Sequence, residues 1–584
     1  MNKGVLILTF KYALIIILSL KNKQGAVKMS FKTKIVSSLE KCFLDNSVDE
    51  FQALTSEKIF KNQKYYFQFI YEAPENANLT VKPIIKSDIN DYITVKEVVN
   101  IPSDMPVYSH SDENLLRRDT GLYPDLIRPL KYNGHARCPH GCLKAFWITV
   151  DPKGEITGKH KITVSIEYVV YDKGLKGSGK ILGSQEIEID IKDVSLPEND
   201  IIFSQWFHAD CLADYYNVPV FSDKHFEICR NFLQTAYEGG RNMIMLPLLT
   251  LPLDIRHHHY RTTVQLIDVY KTGDHYTFKY DNLDRWLDMC KEIGFKYYEI
   301  CPLFSQWGAT ATAKVMAYEN GEYKRIFGWD TPALSPDYRS FLRQFLKAFI
   351  EHMKERNEDK KCFFHISDEP EKEHLEQYKA LKEMIKDVIE GYEQIDALST
   401  YDFYEQGIVT RPIPSIMEIK PFIENNVPDL MCYYCGGHCI NISNCHFSMS
   451  LSRTRYLGVQ LFKYNIKGFL NWGYNFYNNR WSYDHVDPYL SSTGELFSAS
   501  GDTYMVYPAP DGTAYESNRY FALYEAFEDL RAMKLCAKLY SFEETVKAIE
   551  DITGEILFDK CVCDSDTMLK IRRTINDMIF DKLS

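Results

Sequence analysis

The chain runs to 584 residues, 45% hydrophobic and 25% charged, with a formal net charge of −12. That length implies about two or three domains with ample core, and an acidic balance without a long basic block excludes nucleic acid as the main partner. The 15 cysteines are scattered, which excludes a disulfide scaffold and suits reduced thiols.

Residues 1–28 form a hydrophobic extension. Lys3, Val5 to Phe10 and Tyr12 to Leu20 together read like a signal peptide or an anchor through residues 4–20. Lys11 interrupts the run, no A-x-A-like cleavage site precedes Lys21, Lys23 and Lys28, and Met29 opens an ordinary soluble start. The expectation is a cytoplasmic product with no membrane partner; secretion or N-terminal anchoring is the alternative.

Over 29–195 short alternating runs are separated by turn residues, for example Tyr65 to Tyr71, Ala145 to Val150 and His160 to Tyr171. Regular short strands with no long helical window predict a β-sandwich. Gly121 to Leu130 (GLYPDLIRPL) reads as an irregular connection because of its two prolines. Cys138-Pro139-His140-Gly141-Cys142 lacks a second ligand pair, so a loop with free thiols is preferred to half a zinc site.

From 196 to 538 strand-like runs alternate with helical windows. Strands are predicted near Ile201 to Phe207, Met243 to Leu248, Lys296 to Cys301, Cys362 to Ile366, Ala397 to Tyr401, Leu430 to Tyr434, Gly468 to Trp472 and Thr503 to Tyr507. This alternation predicts a (β/α)8 TIM-like barrel. A doubly wound sheet is the runner-up, but no Gly-rich phosphate loop follows any strand. Residues 539–584 read as a C-terminal helical tail.

The most pointed stretch is KCFFHISDEPEKE, Lys361 to Glu373. An apolar run of strand type delivers Asp368 and Glu369 at its carboxyl end, just before a helix, which is where barrel active sites lie. Neighbours on extended backbone face opposite ways, so the two acids should divide their work. Pro370 should restrict Glu369 to extended backbone. The bland alternative is an acidic first turn complementing a helix dipole. Other strand ends contribute Trp206, Phe207, His208, Asp254, Glu299, Trp307, Asp402, Tyr404, Tyr433, Tyr434, Asn471, Trp472, Tyr474, Asn475 and Tyr507. Rings with amides and acids suit a polyhydroxylated ligand, and the 40 Tyr, 34 Phe and 7 Trp are in keeping. In 432–446, CYYCGGHCINISNCH, the thiols could hold zinc or an iron–sulfur cluster, but free Cys as apolar filler is preferred. His257, His258 and His259 read as a solvated loop.

HISDEP, then GFLNWGYNF at Gly468 to Phe476 and GDTYMVYP at Gly501 to Pro508, resemble the family-123 glycoside hydrolases and their uncharacterised relatives. GLYPDLIRPL and the helix Phe521 to Met533 fit the same pattern, so the resemblance spans roughly residues 90 to 540. The Cys-rich loop departs from it, since glycine-rich sequence with fewer thiols is more usual there. The resemblance implies an exo-acting β-N-acetylgalactosaminidase using substrate assistance and no cofactor or metal. Glu369 would be general acid and then base, and Asp368 would orient the 2-acetamido group. Trp472 would be the stacking platform, Asn471 and Tyr474 polar contacts, and His208, Trp307, Tyr404 and Tyr434 further wall. The implied partner is a glycan carrying a 2-acetamido sugar. Two alternatives are a non-catalytic carbohydrate-binding barrel and a glycosidase of different sugar specificity.

Overall fold

Eight parallel strands of three to five residues form a ring within residues 202–471: β1 Ile202–Gln205, β2 Met243–Leu246, β3 Tyr297–Ile300, β4 Cys362–His365, β5 Glu393–Ala397, β6 Arg411–Ile413, β7 Met431–Tyr433 and β8 Gly468–Asn471. The computed structural model describes residues 31–583 apart from 75–76, 172–173 and 257–258. The extension over 1–28 and two of the three consecutive histidines therefore lie outside the described residues. The sheet order is β6-β5-β4-β3-β2-β1-β8-β7. The seam between β6 and β7 is spanned by Tyr433 N–H donating to Pro414 O at 3.0 Å and Ile416 N–H donating to Tyr433 O at 2.9 Å. The result is a nearly closed parallel barrel. β1, β2 and β4 are buried along their whole length, as strands covered on both faces must be.

The helical layer is irregular. Long helices follow β3 (Pro336–Glu355), β4 (Leu375–Ile389) and β8 (Asn518–Leu539), but only the short helices Asp402–Glu405 and Lys420–Glu424 follow β5 and β6.

Two predicted strands need correction, and one strand was not predicted. The fifth is Glu393–Ala397, not Ala397 to Tyr401. Asp396 interrupts its apolar pattern, yet Asp396 is buried because Oδ1 accepts from the N–H of Ile366 (2.9 Å) and Ser367 (3.0 Å) and Oδ2 from the Tyr378 hydroxyl. β6 escaped notice because Pro412 sits within three residues, and proline reads against a strand. The run Thr503 to Tyr507 is not in the barrel. Val506–Pro508 pairs with Ala514–Ser517, which pairs with Gly121–Pro129 of the front region. The count of eight survives because one missed strand offsets one misplaced strand.

The β-rich front has a seven-stranded and a five-stranded sheet. Phe67, Phe69, Phe146 and Ile148 of the first share one core with Val81, Ile162, Val164, Ile166 and Ile189 of the second. GLYPDLIRPL is a strand in the first sheet rather than a connection; the register shifts between Val99, opposite Leu126, and Asn100, opposite Pro124, so that Asp125 is the extra residue. The other face of this sheet rests on the helix Asn518–Leu539. Trp147 stacks on Phe521 at 5.1 Å, while Phe527, two turns on, stacks on Phe203 of β1 at 4.5 Å. Asp125 of the front sheet and Arg519 of the helix are fully buried and joined by 2.7 and 2.9 Å bonds. The tail helices Phe542–Thr553 and Ser565–Leu583 pack on the same helix, and Phe580 reaches Phe60 at 4.8 Å.

Candidate active site

β4 ends in a turn that neighbours on both sides determine. Ile366 and Ser367 hang from Asp396 of β5, the Ser367 hydroxyl donates to Ser305 O at 3.1 Å, Trp307 N–H donates to Asp368 O at 3.0 Å, and Glu369 N–H donates to Ala397 O at 2.9 Å. Glu369 has φ +47°. The expectation of extended backbone before Pro370 is therefore corrected: Glu369 is left-handed, a strained state for a non-glycine that persists because its surroundings over-determine it.

The turn opens into a cleft of ≈ 700 Å³. Asp368 lies at its floor, 3% exposed, with Oδ2 accepting from Gln306 Nε2 at 2.6 Å. Glu369 stands higher and is half-buried; Oε1 accepts from the Tyr433 hydroxyl at 2.7 Å and Oε2 from Trp307 Nε1 at 3.3 Å. Trp206, Trp472, Phe497 and Tyr433 give the walls ring surface, and Tyr108 enters from the front region. Ser498 links Tyr108 (2.7 Å) to Asp502 Oδ2 (2.6 Å), and Trp472 Nε1 donates to Asp502 Oδ1 at 3.2 Å.

Burial and then the charge of Glu369 push the Asp368 carboxyl well above the usual carboxylate range, against the opposing pull of His365 and Gln306. Beneath it, His365 Nδ1 meets Glu299 Oε1 at 3.0 Å and its Nε2 lies 3.9 Å from Asp396. Burial disfavours the charged imidazole, but Glu299, Asp396 and Asp368 outweigh it and push His365 up to about 9. The acids around it thus favour the charged imidazolium beneath the floor. Glu299 also accepts from Trp206 Nε1 at 3.0 Å, which orients that wall ring.

The model of the glycoside hydrolase 123 catalytic domain matches residues 206–536. The chain belongs to glycoside hydrolase family 123. A family 123 glycoside hydrolase from Clostridium perfringens, described for glycolipid glycan hydrolysis, superposes with a TM-score of 0.70 at 15% identity, over 95% of this chain and 98% of that one. A family 2 β-galacturonidase from Eisenbergiella tayi covers 80% of this chain and 70% of its own at 11% identity, with a TM-score of 0.31 that is too low to compare folds. No curated protein sequence matches this chain.

The family-123 cleft gathers Trp206, Asp254, Trp307, Asp368, Glu369, Tyr433 and Trp472 from the residues singled out in the sequence. The others stand behind it. Asn471 ends β8, where its Oδ1 accepts from Gln205 Nε2 at 2.6 Å, and Tyr474 donates to Phe232 O at 2.8 Å. Tyr434 is buried away from the cleft, and Tyr433, its neighbour of opposite parity, faces Glu369. Tyr404 lies beside Tyr401 on a one-turn helix. His208 Nδ1 accepts from Arg261 Nη2 at 2.9 Å, so its proton is on Nε2 and donates to Trp472 O at 3.0 Å; burial and Arg261 lower His208 to about 3. Gln306 and Asp502 were missed as site residues. Gln306 immediately precedes Trp307, and Asp502 falls inside the quoted GDTYMVYP.

All 15 cysteines are unpaired thiols, and no group of three His, Cys, Asp or Glu among the described residues is placed to hold a metal. Cys435 lines the cleft, and its N–H donates to His438 Nδ1 at 3.0 Å. His259, read as solvated, is partly buried and meets Ser482 O at 2.7 Å.

Proposed function

We propose that this family-123 enzyme removes a terminal β-linked 2-acetamido sugar, N-acetylgalactosamine or a close relative, with retention through an oxazolinium intermediate. The observation that carries this reading is the pair Asp368–Glu369: two consecutive acids on one cleft in different settings, one at the floor and one nearer the mouth.

A retaining glycosidase with its own nucleophile places two carboxylates about 5 Å apart across the scissile bond. Consecutive residues on a strand end do not give that arrangement easily. The sugar's acetamide oxygen attacks C1 instead. Glu369, steadied by Tyr433 and Trp307, protonates the leaving oxygen and then takes a proton from the water that opens the intermediate. Asp368 accepts the acetamide N–H. Its raised proton affinity lets it take a growing share of that proton as the nitrogen becomes positive. Trp206, Trp472 and Phe497 supply faces for the apolar side of the ring. Glycolipid glycans, named for the Clostridium protein, are the natural substrates to try first.

The test is Glu369→Gln on an aryl β-N-acetylgalactosaminide. General acid–base loss costs about 10²- to 10⁴-fold; undiminished turnover by the variant would overturn the assignment.

A further inference from the structure

Four acids line the cleft, Asp254, Asp368, Glu369 and Asp502, and among the described residues no Lys, Arg or His lines it. Three of the four carboxylates are engaged: Asp368 by Gln306, Glu369 by Tyr433 and Trp307, and Asp502 by Ser498 and Trp472. Among the described residues the Asp254 carboxylate takes part in no hydrogen bond or ion pair, although the residue is only 8% exposed. The Arg261 guanidinium behind it is committed to Asp210 at 2.6 and 2.8 Å and to His208. Burying an unpaired carboxylate is expensive.

The backbone nevertheless holds this group in place. Asp254 has φ +49°, its N–H donates to Gln306 Oε1 at 2.9 Å, and its carbonyl accepts from the Ser482 hydroxyl at 2.9 Å. The same Gln306 amide that holds the Asp254 backbone donates to Asp368 through its other end. One amide, hydrogen-bonded at both ends, thus bridges Asp254 and the floor acid. Strain plus an unpaired buried acid adds nothing to stability and marks a ligand site.

We propose that Asp254 is a further substrate-binding residue, accepting a hydrogen bond from a ring hydroxyl of the same terminal sugar whose acetamide reaches Asp368. An all-acid lining repels anionic rings and leaves neutral hydroxyl donors as its natural partners. The inference rests on the sugar-hydrolysis reading above.

The experiment measures kcat/KM of wild type and Asp254→Ala on the aryl β-N-acetylgalactosaminide and its 3-, 4- and 6-deoxy forms. Binding of the corresponding free sugars is measured by calorimetry. One deoxy sugar should cost the wild type about 10- to 100-fold, the range for leaving a charged hydrogen-bonding group unmatched. Asp254→Ala should lose a similar factor on the parent and nothing further on that one deoxy sugar. Losses that multiply for every deoxy sugar, or wild-type rates in Asp254→Ala, would overturn the inference and leave the hydrolysis reading standing. Sugar binding that depends on Asp254 in a wild type without hydrolysis would do the reverse, and no binding at all would sink both. Folding supplies a second readout. Burial, with Glu369 and Asp502 adding to it against Arg261, pushes Asp254 up to about 7. With a raised folded value, its contribution to stability is present below the ordinary carboxylate range near 4 and lost as pH rises through about 7. Asp254→Asn should therefore melt higher than wild type at pH 8 but not at pH 4; a lower melting temperature at pH 8 would mean a structural residue.

Discussion

Gln306→Leu tests the floor of the cleft with one change of similar size. The amide donates to Asp368 Oδ2 at 2.6 Å and is 8% exposed, so water does not readily replace it. A buried hydrogen bond to a charged group is worth about 1.5–3 kcal/mol, which is about 10- to 150-fold in kcat/KM at 1.4 kcal/mol per tenfold. The donor favours the ionised form of Asp368, so its removal raises the carboxyl further and depletes the proposed acetamide acceptor most at low pH. The acid limb of the kcat/KM profile should move to higher pH, and the deficit should shrink as pH rises. The lost acceptor also leaves Asp254 N–H unpaired, a cost of about 1–3 kcal/mol visible in the melting temperature. A full kcat/KM–pH profile on an aryl 2-acetamido glycoside, beside thermal unfolding, separates the two effects. A uniform loss at every pH, or an unmoved acid limb, would refute the reasoning about Asp368.

Other outcomes follow from the same coordinates. A Cβ at Gly473 would lie 2.0 Å from the Asp502 carbonyl oxygen, so Gly473→Ala must displace the strap carrying Asp502; overpacking costs about 1–3 kcal/mol, and both melting temperature and kcat/KM should fall. Gly458→Ala meets Ala526 O at 2.0 Å, far from the cleft, and should lower the melting temperature while leaving KM unchanged. Asp529 joins Arg455 at 2.6 and 2.9 Å and also Arg572 in a buried cluster. Although burial opposes it, the two guanidiniums hold its carboxyl below the usual range. That stabilisation is present above the unfolded carboxylate range and lost as pH falls through the lower folded value. Asp529→Asn should cost about 3–5 kcal/mol near neutral pH in denaturant unfolding, and a loss under about 1 kcal/mol would contradict the buried-pair account.

The proposed pair Asp368–Glu369 stands out in the sequence because a short apolar strand, two acids and a proline coincide, and each has a local physical meaning. What failed needed long-range information. Adjacent residues at a strand end differ only in parity, so Tyr433 and Tyr434, or Asn471 and Trp472, cannot be ranked until the strand is seated in its sheet. Asn471 and Tyr474 satisfy their polar groups against Gln205 and Phe232, far away in sequence. Thr503 to Tyr507 has the composition of any buried strand; only the partner Gly121–Pro129, nearly four hundred residues earlier, assigns it to the front sheet. Asp396 reads against a strand because its three donors come from the turn after β4 and from the helix that follows it. The left-handed turn at Glu369 runs against the local rule for a residue before proline, and Asp254 and Trp307 of the same cleft share its positive φ.

The central claim is that the substrate's own acetamide is the nucleophile, with Asp368 steering it. The most direct measurement compares kcat/KM for an aryl β-N-acetylgalactosaminide with its 2-hydroxy counterpart, the leaving group held constant. The account predicts rapid turnover of the first and loss of at least about 10³-fold on the second, since the group that attacks C1 is missing. Comparable rates on both sugars would contradict it.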